Sequence, residues 1–398
     1  MDKLDELLKS KYPNIGNGIR YIKSPLRICP FGAHVDHQFG LVAGMALDIS
    51  IDMVYAPNKD GFIRVQSLEF PDEEYFHVNQ VPAMVPGFWG NYLRGAVRAL
   101  QKDYVLKHGI NAMVEGKYPI GGLSSSAAVT TGYLLALCDV NGIEIKPLDL
   151  ISYSHWVENV FIGLNNGILD QAINVLSREH CLTMMDTKTW AYELIEKPAS
   201  MPPYEVIIVY SGVSKSLIGT DYNNRVDECR VAAWLLQELA GGPLNGLKNA
   251  NLREVGFEIY GQYRSGLPGR FRKRADHFFR ENERVKQGVL AWKQGDLRQF
   301  GKIMIESGES SINSYDCGCP ELITIFDLLK STEGVYGARF SGAGYRGCCI
   351  GLINPDAKEL IKERIDSEYP KRHPEYQNLY QIHFCKTDDG ARIIKAHE

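Results

Sequence analysis

Residues 40–57, GLVAGMALDISIDMVYAP, alternate apolar and polar side chains through Ile49, Ile51 and Met53. That period of two predicts a strand, with turn residues Asn58 and Gly61 behind it. GFIRVQSL predicts a second strand, and the two read as part of an antiparallel sheet. WGNYLRGAVRALQKDY changes to helical spacing, and GINAMVEG returns to a short strand. SSAAVTTGYLLALCDV and LDLISYSHWVENVFIG predict helices. YEVIIVYSG, residues 204–212, reads as a buried strand. RVDECRVAAWLLQELAGG predicts a helix stopped by Gly241 and Gly242. A helix begins at Pro320, a favoured first position, and VYGARFSG and CCIGLIN close the pattern as strands. Pro198, Pro202 and Pro203 mark a break, so the expected domains are 1–202 and 203–398. A chain of 398 residues is too long for one ordinary core.

Charge and composition exclude some classes. A formal net charge of −4 offers no basic field for nucleic acid. The least polar run, Ala127 to Val140, is interrupted by Thr130, Thr131 and Gly132 and is too short to span a membrane. The N-terminal MDKLDELLKSKYP is a charged amphipathic helix without the apolar centre of a leader. Nine cysteines, an odd number with no C-x-x-C pair, fit a reduced, cytoplasmic protein. Cys317-Gly-Cys319 and Cys348-Cys349 lack complementary zinc-spaced partners.

Four stretches carry candidate chemistry. YPIGGLSSSAAV, residues 118–129, sets Gly121, Gly122, Leu123, Ser124, Ser125 and Ser126 before a helix start. Glycines let backbone N–H groups approach an anion, and a helix N-terminus adds free donors. No lysine follows, so this is not a Walker loop, nor does it open a dinucleotide fingerprint. A flexible loop with a serine cap is the plainer reading. In WVENVFIGLNNGILDQAINVL, Glu158 and Asp170 stand apart with Gly163 and Gly167 between them. They could serve a magnesium ion and a substrate hydroxyl, though spacing alone favours ordinary solvated carboxylates. VYGARFSGAGYRGCCI, with Ser341 among its glycines, is a tight loop for phosphate or substrate, or simply a demanding hairpin. FGAHVDHQFG puts His34, Asp36 and His37 on the last three ligands of a binuclear H-x-H-x-D-H pattern. The first ligand falls on Gly32, and His77, His108, His155 and His180 are scattered, which argues against a metal.

In order and spacing these stretches resemble the galactokinase branch of the GHMP small-molecule kinases, from about residue 20 to 355. RICPFGAHVDHQFG is similar to that branch's R-V-N-L-I-G-E-H-T-D-Y-x-x-G, and PIGGLSSSAA to P-x-G-x-G-L-S-S-S-A. ENVFIGLNNGILDQ, WGNY and GARFSGAGYRGC are matched as well. The resemblance implies an α/β (α+β) fold of two domains, an N-terminal nucleotide-binding domain and a ferredoxin-like C-terminal one, with ATP and Mg²⁺ as cofactors. It places the base on Asp170 and the arginine that stabilises the transferred phosphoryl group on Arg27. Mg²⁺ ligands fall on Ser126 and Glu158, and backbone from Gly121 to Ser125 cradles phosphate. Trp89 and Tyr92 lie near the adenine, and Ala33, His34, Asp36, Gly167 and Tyr222 line the sugar. His37 receives no role.

Two departures stand out. The phosphate loop is one residue short. Ala33 replaces a glutamate that, in the branch, accepts the sugar's 6-hydroxyl. Two carboxylates about 4 Å apart repel by roughly 1 to 4 kcal/mol, so a glutamate there rejects a uronic acid and an alanine does not. The implied substrate is D-galacturonate, phosphorylated at its anomeric hydroxyl. Galactose is the rival acceptor, and a non-catalytic sugar and ATP sensor is the rival class. Lys23, Lys215 and Arg225 are the candidate cations for a substrate carboxylate. The expected partner is a small sugar or uronic acid, with no nucleic acid or membrane, and the expected assembly is a monomer or weak homodimer.

Overall fold

The alternating run becomes an 18-residue strand, Leu41–Asn58, the backbone of the larger of two sheets. The structure is a computed structural model that describes residues 2–13, 15, 18–116, 122–213, 221–244 and 246–394. The first half contains α1 (Asp2–Lys11), β1 (Arg20–Phe31), β2 (Leu41–Asn58), β3 (Phe62–Ser67), β4 (Glu73–His77), α2 (Asn91–Leu100) and β5 (Gly109–Gly116). Helices α3 (Ser125–Val140), α4 (Pro147–Trp156) and α5 (Leu169–Leu176) follow, then β6 (Cys181–Asp186) and β7 (Tyr192–Glu196). The second half opens with β8 (Glu205–Tyr210), α6 (Tyr222–Leu239), α7 (Leu252–Tyr263), α8 (Gly269–Lys293) and α9 (Leu297–Asn313). It ends with α10 (Pro320–Lys330), β9 (Val335–Phe340), β10 (Cys348–Ile353), α11 (Lys358–Arg372), β11 (Gln381–Cys385) and β12 (Arg392–Ile394).

The larger sheet runs β12-β1-β2-β5-β3-β4, with β6 and β7 added beside β2. It is not wholly antiparallel as the alternation suggests. β3 lies parallel to β5, with Ile63 opposite Ile110. A parallel neighbour needs a long crossover, and β4 and α2 supply it. The smaller sheet, β11-β8-β10-β9, is antiparallel throughout. Strand β12 leaves the second half and pairs with β1 in the first.

One core fills the space between the larger sheet and helices α2 and α3, through Tyr55, Leu93, Tyr133 and Leu137. A second joins the halves, bringing Phe31 and Ile28 of β1 against Ile208, Phe300 and Ile350. Phe31 and Phe300 meet edge to face at 4.6 Å, a geometry that adds about 1 kcal/mol to simple burial. The Trp292 indole N–H also donates across the junction to the Ile195 carbonyl at 3.0 Å. These contacts hold the strand that carries Arg27 against the second half. Among the described residues no helix is long and apolar enough to cross a membrane.

Candidate active site

Arg27 lies on β1 between two register shifts, one at Pro25/Arg27 and one at Ile28/Phe31. Bulges of this kind re-aim side chains, and here the guanidinium turns inward, only 3% exposed. Its Nη2 and Nε donate to Oδ1 of Asp170 at 2.5 and 2.8 Å. Nη1 reaches the Gly122 carbonyl at 3.3 Å and the Ser341 hydroxyl at 3.4 Å, and the Arg27 backbone N–H donates to the Leu123 carbonyl at 3.3 Å. Burial works against the guanidinium's charge, but the Asp170 carboxylate outweighs it and raises Arg27 above an ordinary arginine. Asp170 stands in the first turn of α5 with its side chain still 28% exposed. The expected catalytic pair is thus in direct contact, with the carboxylate open to a ligand.

Gly121 and residues 117–120 lie outside the described residues, so the expected cradle begins at Gly122, whose φ is +96°. Ser124 precedes α3 in the left-handed region at φ +62° and makes no side-chain cap. The first helical bond runs from the Ala128 N–H to the Ser124 carbonyl at 3.1 Å. The N–H groups of Ser125, Ser126 and Ala127 therefore precede the helical ladder, and no acid stands in the first turn to compete for them. The Ser124 hydroxyl is buried and has no partner among the described residues. Free donors at a helix N-terminus suit an anion. The glycine loop after β9 packs directly on it: a Cβ on Gly342 would lie 2.9 Å from the Gly122 carbonyl oxygen.

Helix α4 does not stop where its α-helical bonds stop. Residues Val157–Ile162 widen into a π-helical turn ending on Gly163, a device often found at functional sites. Glu158 sits in that turn, 1% exposed. One oxygen, Oε2, accepts from Asn166 at 2.5 Å and Gln171 at 2.7 Å. The other, Oε1, has no hydrogen-bond partner among the described residues, although the Ser126 hydroxyl lies beside the carboxyl. Burial, with the Asp170 charge behind it, pushes Glu158 up to about 7. An orphaned carboxylate oxygen next to a serine hydroxyl suits a hard cation that keeps most of its waters, as Mg²⁺ does. Tyr92 also faces Ser126 and Glu158. Trp89 stacks on Phe70 at 5.9 Å, with its indole nitrogen buried and without a partner among the described residues.

At the other end, His34 adopts φ +63°, a conformation that costs a non-glycine residue about 1 kcal/mol or more. Its ring stacks on Tyr315 at 4.2 Å, and Nε2 lies 3.6 Å from the Cys317 sulfur. Burial and the neighbouring His277 hold it well below the usual histidine range. His37, left without a role by the sequence, meets the Tyr315 hydroxyl through Nε2 at 3.1 Å and so braces the ring under His34. Asp36 accepts from the Leu169 N–H at 3.2 Å. Burial and the charge of Asp170 push it up to about 6. Gly167 passes so close that a Cβ there would stand 2.4 Å from the Asp36 carboxyl and 2.6 Å from its backbone carbon. Tyr222 faces Asp36 and Asp170, and burial and those charges raise its phenol well above the usual range. Ala33 is 8% exposed, and its carbonyl faces His277 Nε2 at 3.0 Å.

The candidate cations fare differently. Lys23 pairs with Asp388 at 2.7 Å on the ladder toward β12 and is committed there. Lys215 lies outside the described residues. Arg225 is tied to Glu228 at 3.2 Å and Asp221 at 3.5 Å.

Residues 91–178 match the family described as GHMP kinases N terminal domain, and residues 289–371 match GHMP kinases C terminal. The chain is 38% identical to a galacturonokinase of Arabidopsis thaliana, over 94% of each protein. The chain belongs to the GHMP kinases. A galactokinase of Roseiflexus sp. (strain RS-1) is 29% identical over 93% of this GHMP kinase and 92% of its own length. In fold, it superposes on Lactococcus lactis galactokinase complexed with galactose with a TM-score of 0.85, at 24% identity, over 97% of this chain and 99% of the other. Methanococcus jannaschii mevalonate kinase matches with a TM-score of 0.67 over 94% and 100%. The expected family and two-domain fold are therefore met.

Several residues around this site had no sequence signal. Tyr315 and Cys317 reach His34 from far along the chain, and His277 comes from α8. Ser341, singled out in its glycine loop, meets Arg27. Asn166 and Gln171 flank Gly167 and Asp170 in the matched NNGILDQ stretch, which could have pointed to them.

Proposed function

We propose that this GHMP kinase transfers the γ-phosphoryl group of ATP to the anomeric hydroxyl of D-galacturonate. Ala33 carries the reading. A buried methyl stands where a sugar-facing glutamate would repel a uronate, and the 38% identical relative is a galacturonokinase. The anomeric O–H donates to the Asp170 carboxylate, which takes the proton as that oxygen bonds to phosphorus and the bond to ADP breaks. Arg27 fixes Asp170 through two hydrogen bonds to one oxygen. Its remaining N–H groups lie next to the phosphate loop, where they offset charge on the transferred group. The free N–H groups at the head of α3 hold the polyphosphate. Ser126 and Glu158 would hold Mg²⁺, which when bound neutralises phosphate charge. Asp36, braced by the Leu169 N–H, accepts from sugar hydroxyls, and His34 and Tyr222 supply further polar atoms. The division between the halves is placed near residue 203, with β12 returning to the first sheet.

Replacing Ala33 by Glu tests the substrate. ADP formation with galacturonate should fall by about tenfold or more, following the charge repulsion above, while activity on galactose rises. An unchanged ratio between the two sugars would sink this reading. The second reading, a galactokinase, draws on the 29% identical relative, and a wild-type preference for galactose would favour it.

A further inference from the structure

The loop from Ser341 to Gly347 touches both ends of the site. Gly342, Gly344 and Gly347, at φ +67°, +75° and +93°, let it turn sharply. Its two large side chains diverge. Tyr345 faces Cys317, Arg225 and Asp221, toward the His34 end. Arg346 instead lies between Gly342 and Cys348, which pack against Gly122 just ahead of α3: a Cβ on Gly342 would lie 2.9 Å from the Gly122 carbonyl oxygen, and one on Gly122 would lie 3.1 Å from the Cys348 nitrogen. Its charge is within electrostatic reach of Tyr92 and Tyr210.

Arg346 differs from the other enclosed arginines. Arg27, Arg274 and Arg339 are buried, and each meets a carboxylate: Asp170, Glu228 and Glu281. Arg346 is partly buried. Yet it makes no ion pair and no hydrogen bond among the described residues. Burial depresses its affinity for the proton, and the two nearby tyrosines only partly offset this. A half-buried guanidinium with no protein anion beside it is partly desolvated, and its planar fork of donors matches phosphate oxygens.

We infer that Arg346 is a phosphate-binding residue, its guanidinium engaging the polyphosphate of a nucleotide seated at the N-terminus of α3. The inference rests on the reading that this helix end takes the nucleotide, and not on the identity of the sugar.

Calorimetric titration of the full chain with ATP, ADP and adenosine, without sugar, tests it. In R346Q, affinity for ATP and ADP should drop about tenfold or more, while adenosine binding should hold within twofold. R346K, which keeps the charge but loses the fork, should fall between. The ligand-free melting temperature of R346Q should equal or exceed that of wild type, because an uncompensated charge is removed. Unchanged ATP and ADP affinity in R346Q overturns the assignment. So does a selective loss of galacturonate binding, which would move Arg346 to the sugar end. A sharply lowered ligand-free melting temperature contradicts an unpaired guanidinium, and R346K then decides the nucleotide question in a folded protein. If wild type binds ATP but does not use galacturonate, the substrate reading fails and this one stands. If wild type binds no nucleotide, both fall.

Discussion

Asp170 and Arg27 are 143 residues apart in the chain and 2.5 Å apart in space. Replacing Asp170 by Asn keeps the shape and removes the proposed base. Turnover should fall by about 10²–10⁴-fold, with sugar affinity changed little. A coupled ADP assay and a sugar titration separate the two, and retention of most of the rate would remove Asp170 from the reaction. Glu158 makes a different prediction. Its ordinary value of 4.5 is raised to about 7, by burial first and the Asp170 charge second. A raised carboxyl binds its proton more tightly folded than unfolded. Its contribution to stability is therefore full below about pH 4.5 and is lost as pH rises through about 7. Asp36, raised to about 6, acts in the same direction. The ligand-free melting temperature should fall between about pH 5 and pH 7.5, while Mg²⁺ affinity rises over the upper part of that range. A melting temperature that climbs across this window would contradict the buried carboxyls. At this scale the motifs made the paired side chains legible, because each keeps its neighbours in order. They could not show what lies behind them. Tyr315 and Cys317 surround His34 from 280 or so positions away, and no local pattern encodes that approach.

Helices and strands were legible from their period, though the polar positions of β2 do not mark a wet face: Ser50 and Asp52 are buried with most of the strand. The alternation in β2 and the apolar spacing of α2 and α3 identify these elements, and the proline before α10 marks its start. The pattern failed where bonding rather than side-chain burial decides. The widened turn after α4 keeps helical spacing, so its change of hydrogen bonding leaves no mark in the sequence. The parallel pairing of β3 with β5 depends on a crossover, not on the strands themselves. At the start of α5, Gly167 is the sensitive point. Gly167→Ala would drive a methyl into the Asp36 carboxyl and backbone. A displacement of about 1 Å can cost up to about a hundredfold, so KM for the sugar should rise tenfold or more, with KM for ATP within twofold. Equal changes in both constants would mean a general loss of structure instead.

Across the whole molecule, the least legible feature is the return of the chain's end. Residues 388–391 bond to Ala46, Ser177 and Asn174 at 2.8 to 3.0 Å, and β12 then pairs with β1. The tail thus clamps the end of α5, the helix that carries Asp170. Residues 388–394, Asp-Asp-Gly-Ala-Arg-Ile-Ile, are too short a run to set a period from which this could be read. Deleting residues 388–398 also removes the Lys23–Asp388 pair. At about 1 kcal/mol per lost hydrogen bond, stability should fall by several kcal/mol, read as a lower denaturant midpoint. Turnover should drop further than KM rises, and an unchanged midpoint would show the clamp to be idle.

Arg27 ties its own strand to three other segments, through the Gly122–Leu123 turn, Asp170 and Ser341. Two ligands that each press on such a shared fixed point are thermodynamically coupled through it. Occupancy at the sugar end should alter nucleotide affinity, and nucleotide should alter sugar affinity by the same factor. Titrating each ligand with and without the other closes that cycle. Arg27 would then act as the hinge of a conversation between the two substrates before any bond is made.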